Sequence, residues 1–135
     1  MILQVRHAMQ TKPYTIDSEE TVTETAYRMI QIGTDTLVVL YENEIKGTID
    51  QRDVLRYTYT QGFRPNQTPV SEITNSDVVF ARPTTSLEDA LTIMTETKQY
   101  TLAVVDRELV GTINIFDLLK AQPQTKPLEV ISHQS

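Results

Sequence analysis

The chain has 135 residues, no cysteine, and 18 acidic against 12 basic side chains, for a formal charge of −6. Disulfides, thiolate metal sites and thiol nucleophiles are excluded, and the basic residues are scattered rather than gathered into the tract that nucleic acid or anionic lipid would require. The longest unbroken apolar run, Leu37 to Tyr41, is far too short to span a bilayer, and MILQVRHAMQ lacks the apolar stretch of a secretory signal, so a cytoplasmic location is expected.

In chain order, a short lead-in, VRHAM, comes first, and Asp17-Ser18-Glu19-Glu20 is turn and cap material ahead of a helix. Val22, Thr25, Ala26 and Met29 at i, i+3, i+4 and i+7 form one stripe of that helix. Gly33 suits its end, where a left-handed backbone costs glycine least. The β-rich run LVVLY, the polar turn YENEIK and a second short strand lead to Gly47-Thr48-Ile49. A helix is predicted from about Gln51 to Tyr59, and YTQGFRPNQTP, with its glycine and two prolines, reads as a linker.

The same grammar then starts again. Arg82-Pro83-Thr84-Thr85-Ser86 caps a second helix whose stripe is Leu87, Ala90, Leu91 and Met94; LAVVD and DRELV follow, and a last helix is predicted from Ile115 to Ala121. Met29, Met94, Tyr27 and Phe116 are assigned to core packing. The tail QPQTKPLEVISHQS is broken by proline and is expected to be flexible, with Leu128 to Ile131 available as an edge strand.

The two runs are copies. GTIDQRDVLR, beginning at Gly47, returns as GTINIFDLLK 64 residues later, while upstream residues match at an offset of 65. Val5 thus faces Val70, Ser18 faces Pro83, and Thr36-Leu37 faces Thr101-Leu102; one deletion between Tyr41 and Gly47 reconciles the offsets. Each copy reads strand–helix–strand–strand–helix, and about fifty residues cannot cover both faces of their own sheet. The expected fold is α+β, two repeats packed sheet to sheet about an approximate two-fold axis. Its parts are repeat one over 1–60, a linker over 61–68, repeat two over 69–122 and a tail over 123–135.

On these residues the chain resembles a tandem pair of CBS domains, a Bateman module, here as a stand-alone protein. The resemblance rests on VRHAM (degraded to VSEIT), the striped helix, LVVLY and LAVVD, and the closing G-x-h-x-x-x-D-h-L, and it covers about 110 of the 135 residues. Two features of the family pattern are missing. The proline of the second strand is replaced by Val38 and Ala103, and no Thr or Ser stands three residues before the Asp of the closing motif.

A strand that ends at Gly47 and turns into a helix at Gln51 makes position 50 the N-cap, and the first-turn N–H groups beyond it attract anions. Asp53 and, in copy two, Asp117 project from that first turn, and a carboxylate there can accept from both hydroxyls of a ribose diol. In relatives that bind adenosine compounds the resemblance implies that role for Asp53 and Asp117, with Asp50 and Asn114 on the phosphate side. Gly47, Ile49, Gly111 and Ile113 flank the predicted pockets, and Arg82 is the candidate phosphate partner. The structural alternative is that Asp50 and Asn114 are only N-caps, worth about 1 kcal/mol over alanine, and that Asp53 and Asp117 only favour the helix dipole.

The copies differ where it matters for charge. A carboxylate at Asp50 about 4 Å from a phosphate is repelled by a few kcal/mol at a surface-like dielectric. The expectation is therefore asymmetric: Asn114 and Asp117 hold an adenine nucleotide, while the Asp50/Asp53 pocket is empty or suits S-adenosylmethionine. AMP, ADP, ATP and S-adenosylmethionine are the candidate ligands, with no obligatory cofactor or metal. Neither His7 nor His133 completes a nucleophile–base arrangement, and phosphate-loop, dinucleotide and hydrolase signatures are absent, so no enzymatic activity is expected. The expected role is a regulatory sensor that forms a disc-like homodimer and signals to an effector protein; the alternative is a ligand-free dimerisation scaffold.

Overall fold

The computed structural model describes residues 2–60 and 64–121. Gly62 of the linker, Leu128 to Ile131 and His133 lie outside the described residues. Each repeat forms a three-stranded sheet with two helices. In the first, β1 (Thr15–Asp17), α1 (Val22–Ile32), β2 (Thr36–Tyr41), β3 (Glu44–Asp50) and α2 (Gln51–Thr60) follow in order. The second contains β4 (Phe80–Ala81), α3 (Leu87–Thr97), β5 (Thr101–Asp106), β6 (Glu108–Asn114) and α4 (Ile115–Ala121). In each sheet the middle strand pairs parallel with the first and antiparallel with the third.

Local chemistry explains the boundaries. Thr21 and Ser86 are the N-caps of α1 and α3, their hydroxyls accepting from Glu24 N at 3.1 Å and Asp89 N at 3.0 Å. The deletion read from the repeat falls in the hairpin between the last two strands. In the first sheet Tyr41 pairs with Glu44 across Glu42 and Asn43, both at positive φ; in the second, Asp106 pairs with Glu108 across Arg107 alone.

Strand alternation divides the burial. Leu37, Val39 and Ile49 face the helices in one core, and Leu102, Val104 and Ile113 do so in the other. Val38 and Ala103 point the opposite way and are buried as well, beside their cross-strand partners Thr48 and Thr112, where the two sheets pack together. Met29 and Met94 are core residues as expected. Tyr27 and Phe116 are not, being 58% and 67% exposed, and Leu91 is also exposed. A seven-residue α4 and an eleven-residue α1 each bury only a narrow stripe against a three-stranded sheet, so residues beside that stripe stay outside.

The two cores are not drawn from contiguous sequence. Val5, on a short 3-10 helix at Val5–His7, is fully buried in the core of the second repeat, and Val70, on the matching helix at Val70–Ile73, is fully buried in the core of the first. Backbone bonds hold both crossings at repeat-equivalent places. Val5 N donates to Thr85 O at 2.7 Å and Val70 N to Glu20 O at 2.7 Å; Arg6 N donates to Pro83 O at 2.9 Å and Ser71 N to Ser18 O at 3.0 Å. Further on, Gln10 exchanges two backbone bonds with Thr112, as Asn75 does with Thr48. The described end of the linker is also fixed, since Tyr57 Oη bonds Thr68 Oγ1 at 2.7 Å and accepts from Arg64 N at 3.1 Å.

Val5→Ala is therefore expected to destabilise the second repeat's core, although Val5 is written in the first, by about 2 kcal/mol in urea unfolding. A loss below about 0.5 kcal/mol, the range of an ordinary surface substitution, would contradict the crossing.

Candidate functional site

The two strand-to-helix junctions are built alike. Asp50 Oδ1 accepts from Asp53 N at 2.9 Å while Asp53 Oδ2 accepts from Asp50 N at 2.9 Å, a reciprocal cap that satisfies two N–H groups at the start of α2. Asn114 and Asp117 repeat it at the start of α4, again with both bonds at 2.9 Å. Both candidate pairs are thus capping residues, and each Asp keeps one carboxylate oxygen beyond the cap.

That remaining oxygen meets different partners. Asp53 Oδ1 lies 3.4 Å from the Arg56 guanidinium, and Asp50 Oδ2 pairs with Arg52 at 2.9 Å. Asp117 Oδ1 instead receives the side-chain amide of Gln10 at 3.4 Å, and Asp117 is buried. The residue equivalent to Gln10 in the other lead-in is Asn75, whose amide oxygen accepts from Asp77 N and leaves Asp53 alone.

A groove of about 1300 Å³ runs between the repeats. Both copies line it with equivalent segments: Gly33 to Thr36 opposite Lys98 to Thr101, and Asp50 to Arg52 opposite Asn114 to Phe116. Asp53 and Arg56 also line it, whereas Asp117 and Lys120 do not. A smaller pocket of about 330 Å³ between β1 and α1, edged by Asp17, Glu20, Glu24 and Arg28, holds none of the candidate residues.

Several expectations need correction. Gly47 and Gly111 do not make room for a ligand. A Cβ on Gly111 would lie 2.5 Å from Gln10 O, and one on Gly47 would collide with Asn75 O, so the bare backbone admits the crossing lead-in of the other repeat. Ile49 and Ile113 are fully buried, one in each core, because they alternate with the sheet-to-sheet faces. Arg82 is exposed, spends its backbone N–H on Thr85 Oγ1 at 2.9 Å, and does not reach the groove. Of the two first-turn carboxylates, Asp53 lines the groove, and Asp117 is buried and does not. The charge at Asp50, weighed in the sequence as a bar to anions, is offset by Arg52.

The sequence reading missed Gln10, Asn75 and Lys98. The first two could have been found as the amide closing each lead-in, VRHAMQ and VSEITN, and Lys98 as the counterpart of Gly33.

Burial raises the Asp53 carboxyl above its ordinary value; the Asp50 charge adds to this, and the Asp50 N–H and Arg56 oppose it. A raised folded value means that this group favours the fold below its unfolded pKa and that the contribution is lost as pH rises through the folded value. Asp50→Asn, which copies the second junction, is expected to lower the Asp53 midpoint in a carboxyl-carbon NMR titration. An unchanged or higher midpoint would remove Asp50 as a cause.

Against known proteins, the model of the CBS domain family matches residues 5–59 and again 70–124. The CBS domain-containing protein YhcV of Bacillus subtilis is 34% identical over 136 residues, covering 97% of this chain and 96% of YhcV. An uncharacterised protein of Methanocaldococcus jannaschii is 26% identical, and the match covers 63% of its length. A CBS-domain containing protein from Agrobacterium tumefaciens superposes with a TM-score of 0.81 at 22% identity, over 87% of this chain and 97% of that one. The CBS domain pair of protein MJ0100, solved with 5-methylthioadenosine and S-adenosyl-L-methionine, superposes with a TM-score of 0.80 at 19% identity over all of both chains. With two consecutive copies of the domain, exchanged lead-ins and a groove between them, this chain belongs to the CBS-domain family.

Proposed function

We propose that this CBS pair is a regulatory, non-catalytic module that takes one adenosine-containing ligand in its groove, with Asp53 as the ribose-binding residue. The observation that carries the reading is the position of Asp53, at the start of α2 and on the groove wall, with one oxygen held only by a long 3.4 Å contact to Arg56. A ribose diol can replace that contact while the cap to Asp50 persists. The groove volume exceeds the several hundred Å³ of ordinary small-molecule sites, so it accommodates a nucleoside and its substituent. Protein MJ0100, with the same fold, supports the ligand class. Asp117 is buried and does not line the groove, so the stoichiometry is one ligand per chain rather than two.

A ligand of this kind acts by binding one arrangement of the repeats better than another, and the shift it causes is bounded by that difference in affinity. The shift is passed on to an effector protein. The scaffold reading has its own support: Tyr27 and Ile30 on α1, Leu55 on α2 and Phe116 and Leu119 on α4 are 56–75% exposed. These apolar helix surfaces fit a second copy of the chain, so a homodimer belongs to either reading.

Asp53→Asn is expected to weaken adenosine binding at least tenfold in calorimetry, and Asp117→Asn to leave it within about twofold. Equal losses, or a wild-type stoichiometry of two, would end the single-site reading. For the assembly, Ile30→Glu combined with Leu119→Glu is expected to convert a dimer to a monomer by light scattering. A mass unaffected by both substitutions would dismiss these helix surfaces as the contact.

A further inference from the structure

Strand β1 lies at an edge of the first sheet and pairs only with β2. Val38 N donates to Tyr14 O at 2.9 Å and Ser18 N to Leu40 O at 2.8 Å, so residues 14, 16 and 18 turn their backbone groups toward β2. Backbone groups alternate in direction along a parallel strand, so Thr15 and Asp17 turn theirs outward. Asp17 O accepts from Glu20 N at 3.0 Å. The Thr15 N–H, the Thr15 C=O and the Asp17 N–H have no partner on that side among the described residues.

The second repeat closes the same edge. Its strand β4 is only two residues long, the Arg82 N–H that corresponds to Asp17 donates to Thr85 Oγ1 at 2.9 Å, and Pro83 follows with no N–H to offer. In the first repeat Glu20 takes the place of Thr85, and the Asp17 N–H is left without that cap.

The open edge borders the pocket of about 330 Å³ between β1 and α1. Thr15 and Asp17 line one side of it, and Glu20, Glu24 and Arg28 line the other. Three carboxylates against one guanidinium leave that lining negative, and none of the four is in an ion pair among the described residues. A cleft between an edge strand and a helix is the geometry in which a sheet takes up an extended peptide: main-chain bonds hold it, and alternate side chains meet the helix. Charges along an edge also deter pairing, and that effect alone would make the carboxylates protective. It repels a second copy of this chain, with its formal charge of −6, but attracts a cationic segment. Residues 122–135 of the chain itself carry one lysine and one glutamate, and so bring no net positive charge.

We propose that the β1 edge is a docking site for an extended basic segment of another protein, which joins the first sheet as a fourth strand and sets Lys or Arg side chains against Asp17, Glu20 and Glu24. This goes beyond the adenosine reading and does not depend on what occupies the groove between the repeats.

Amide exchange is read first on the full chain alone, at two concentrations. The Thr15 and Asp17 N–H groups are expected to exchange freely at both. Protection at both concentrations gives the edge to the chain's own residues 122–135, protection that grows with concentration gives it to a second copy, and either result overturns the proposal. A display library of random heptapeptides is then panned on the full chain, and enriched sequences are assayed as synthetic peptides by fluorescence anisotropy. The expected result is Lys or Arg at alternate positions, with bound peptide slowing exchange at Thr15 and Asp17. Glu20→Thr, which installs the second repeat's capping residue, and Glu24→Lys are each expected to weaken binding by about fivefold or more while keeping the wild-type melting temperature. N-methylation of alternate peptide amides leaves the charge, removes the strand bonds and is expected to abolish binding. No enrichment, enrichment without a basic preference, or binding that survives N-methylation or both substitutions overturns the proposal.

Discussion

Each repeat is completed by a segment written in the other. Val5 and Val70 fill opposite cores, and the backbone bonds that hold them are laid down at equivalent positions in both directions. A half-unit of this size, with a three-stranded sheet and two short helices, buries too little apolar surface to stand alone. Exchanging lead-ins gives each core a further aliphatic anchor and covers sheet edge that would otherwise expose unpaired N–H and C=O groups. The same crossing explains both glycines of the repeated Gly-Thr-Ile motif, since the backbone of the partner lead-in passes where a Cβ would be.

That crossing also decides the chemistry of the two strand-to-helix junctions. The capping geometry is the same in both, with equal distances, so the local motif by itself makes no distinction. What differs is the side chain that closes each lead-in. Gln10 is long enough to reach Asp117, and Asn75, one methylene shorter, turns to its own loop and bonds Asp77 N. The two carboxylates thus have different neighbours: Asp117 is buried beside Gln10, and Asp53 stands on the groove wall beside Arg56. The charges are settled locally, since Arg52 and Arg56 each pair with a carboxylate of their own junction.

The sequence by itself determined the duplication, the element order, the helix ends at Ser86 and Gly33 and the offset that localises a hairpin deletion. These depend on periodicity, cap residues and turn chemistry within a few positions of each residue. Of the helix stripes read from spacing, Val22, Thr25 and Met29 and Leu87, Ala90 and Met94 are buried, while Ala26 is half-buried. Leu91, read as part of the second stripe, is exposed, as are Tyr27 and Phe116, because burial depends on what else packs there as well as on spacing.

Tertiary structure alone decided which core each lead-in joins, what the glycines make room for, and which of two equivalent carboxylates faces the groove. None of these is encoded locally. Val5 and Val70 match each other in any alignment of the copies, yet no pattern within either copy shows that the side chain is delivered to its neighbour. Likewise Arg82 sits at a promising place in the chain but not in space. Its loop is tied to the N-terminal lead-in, and the groove is built from helix ends and strand ends that only the packing of two sheets brings together.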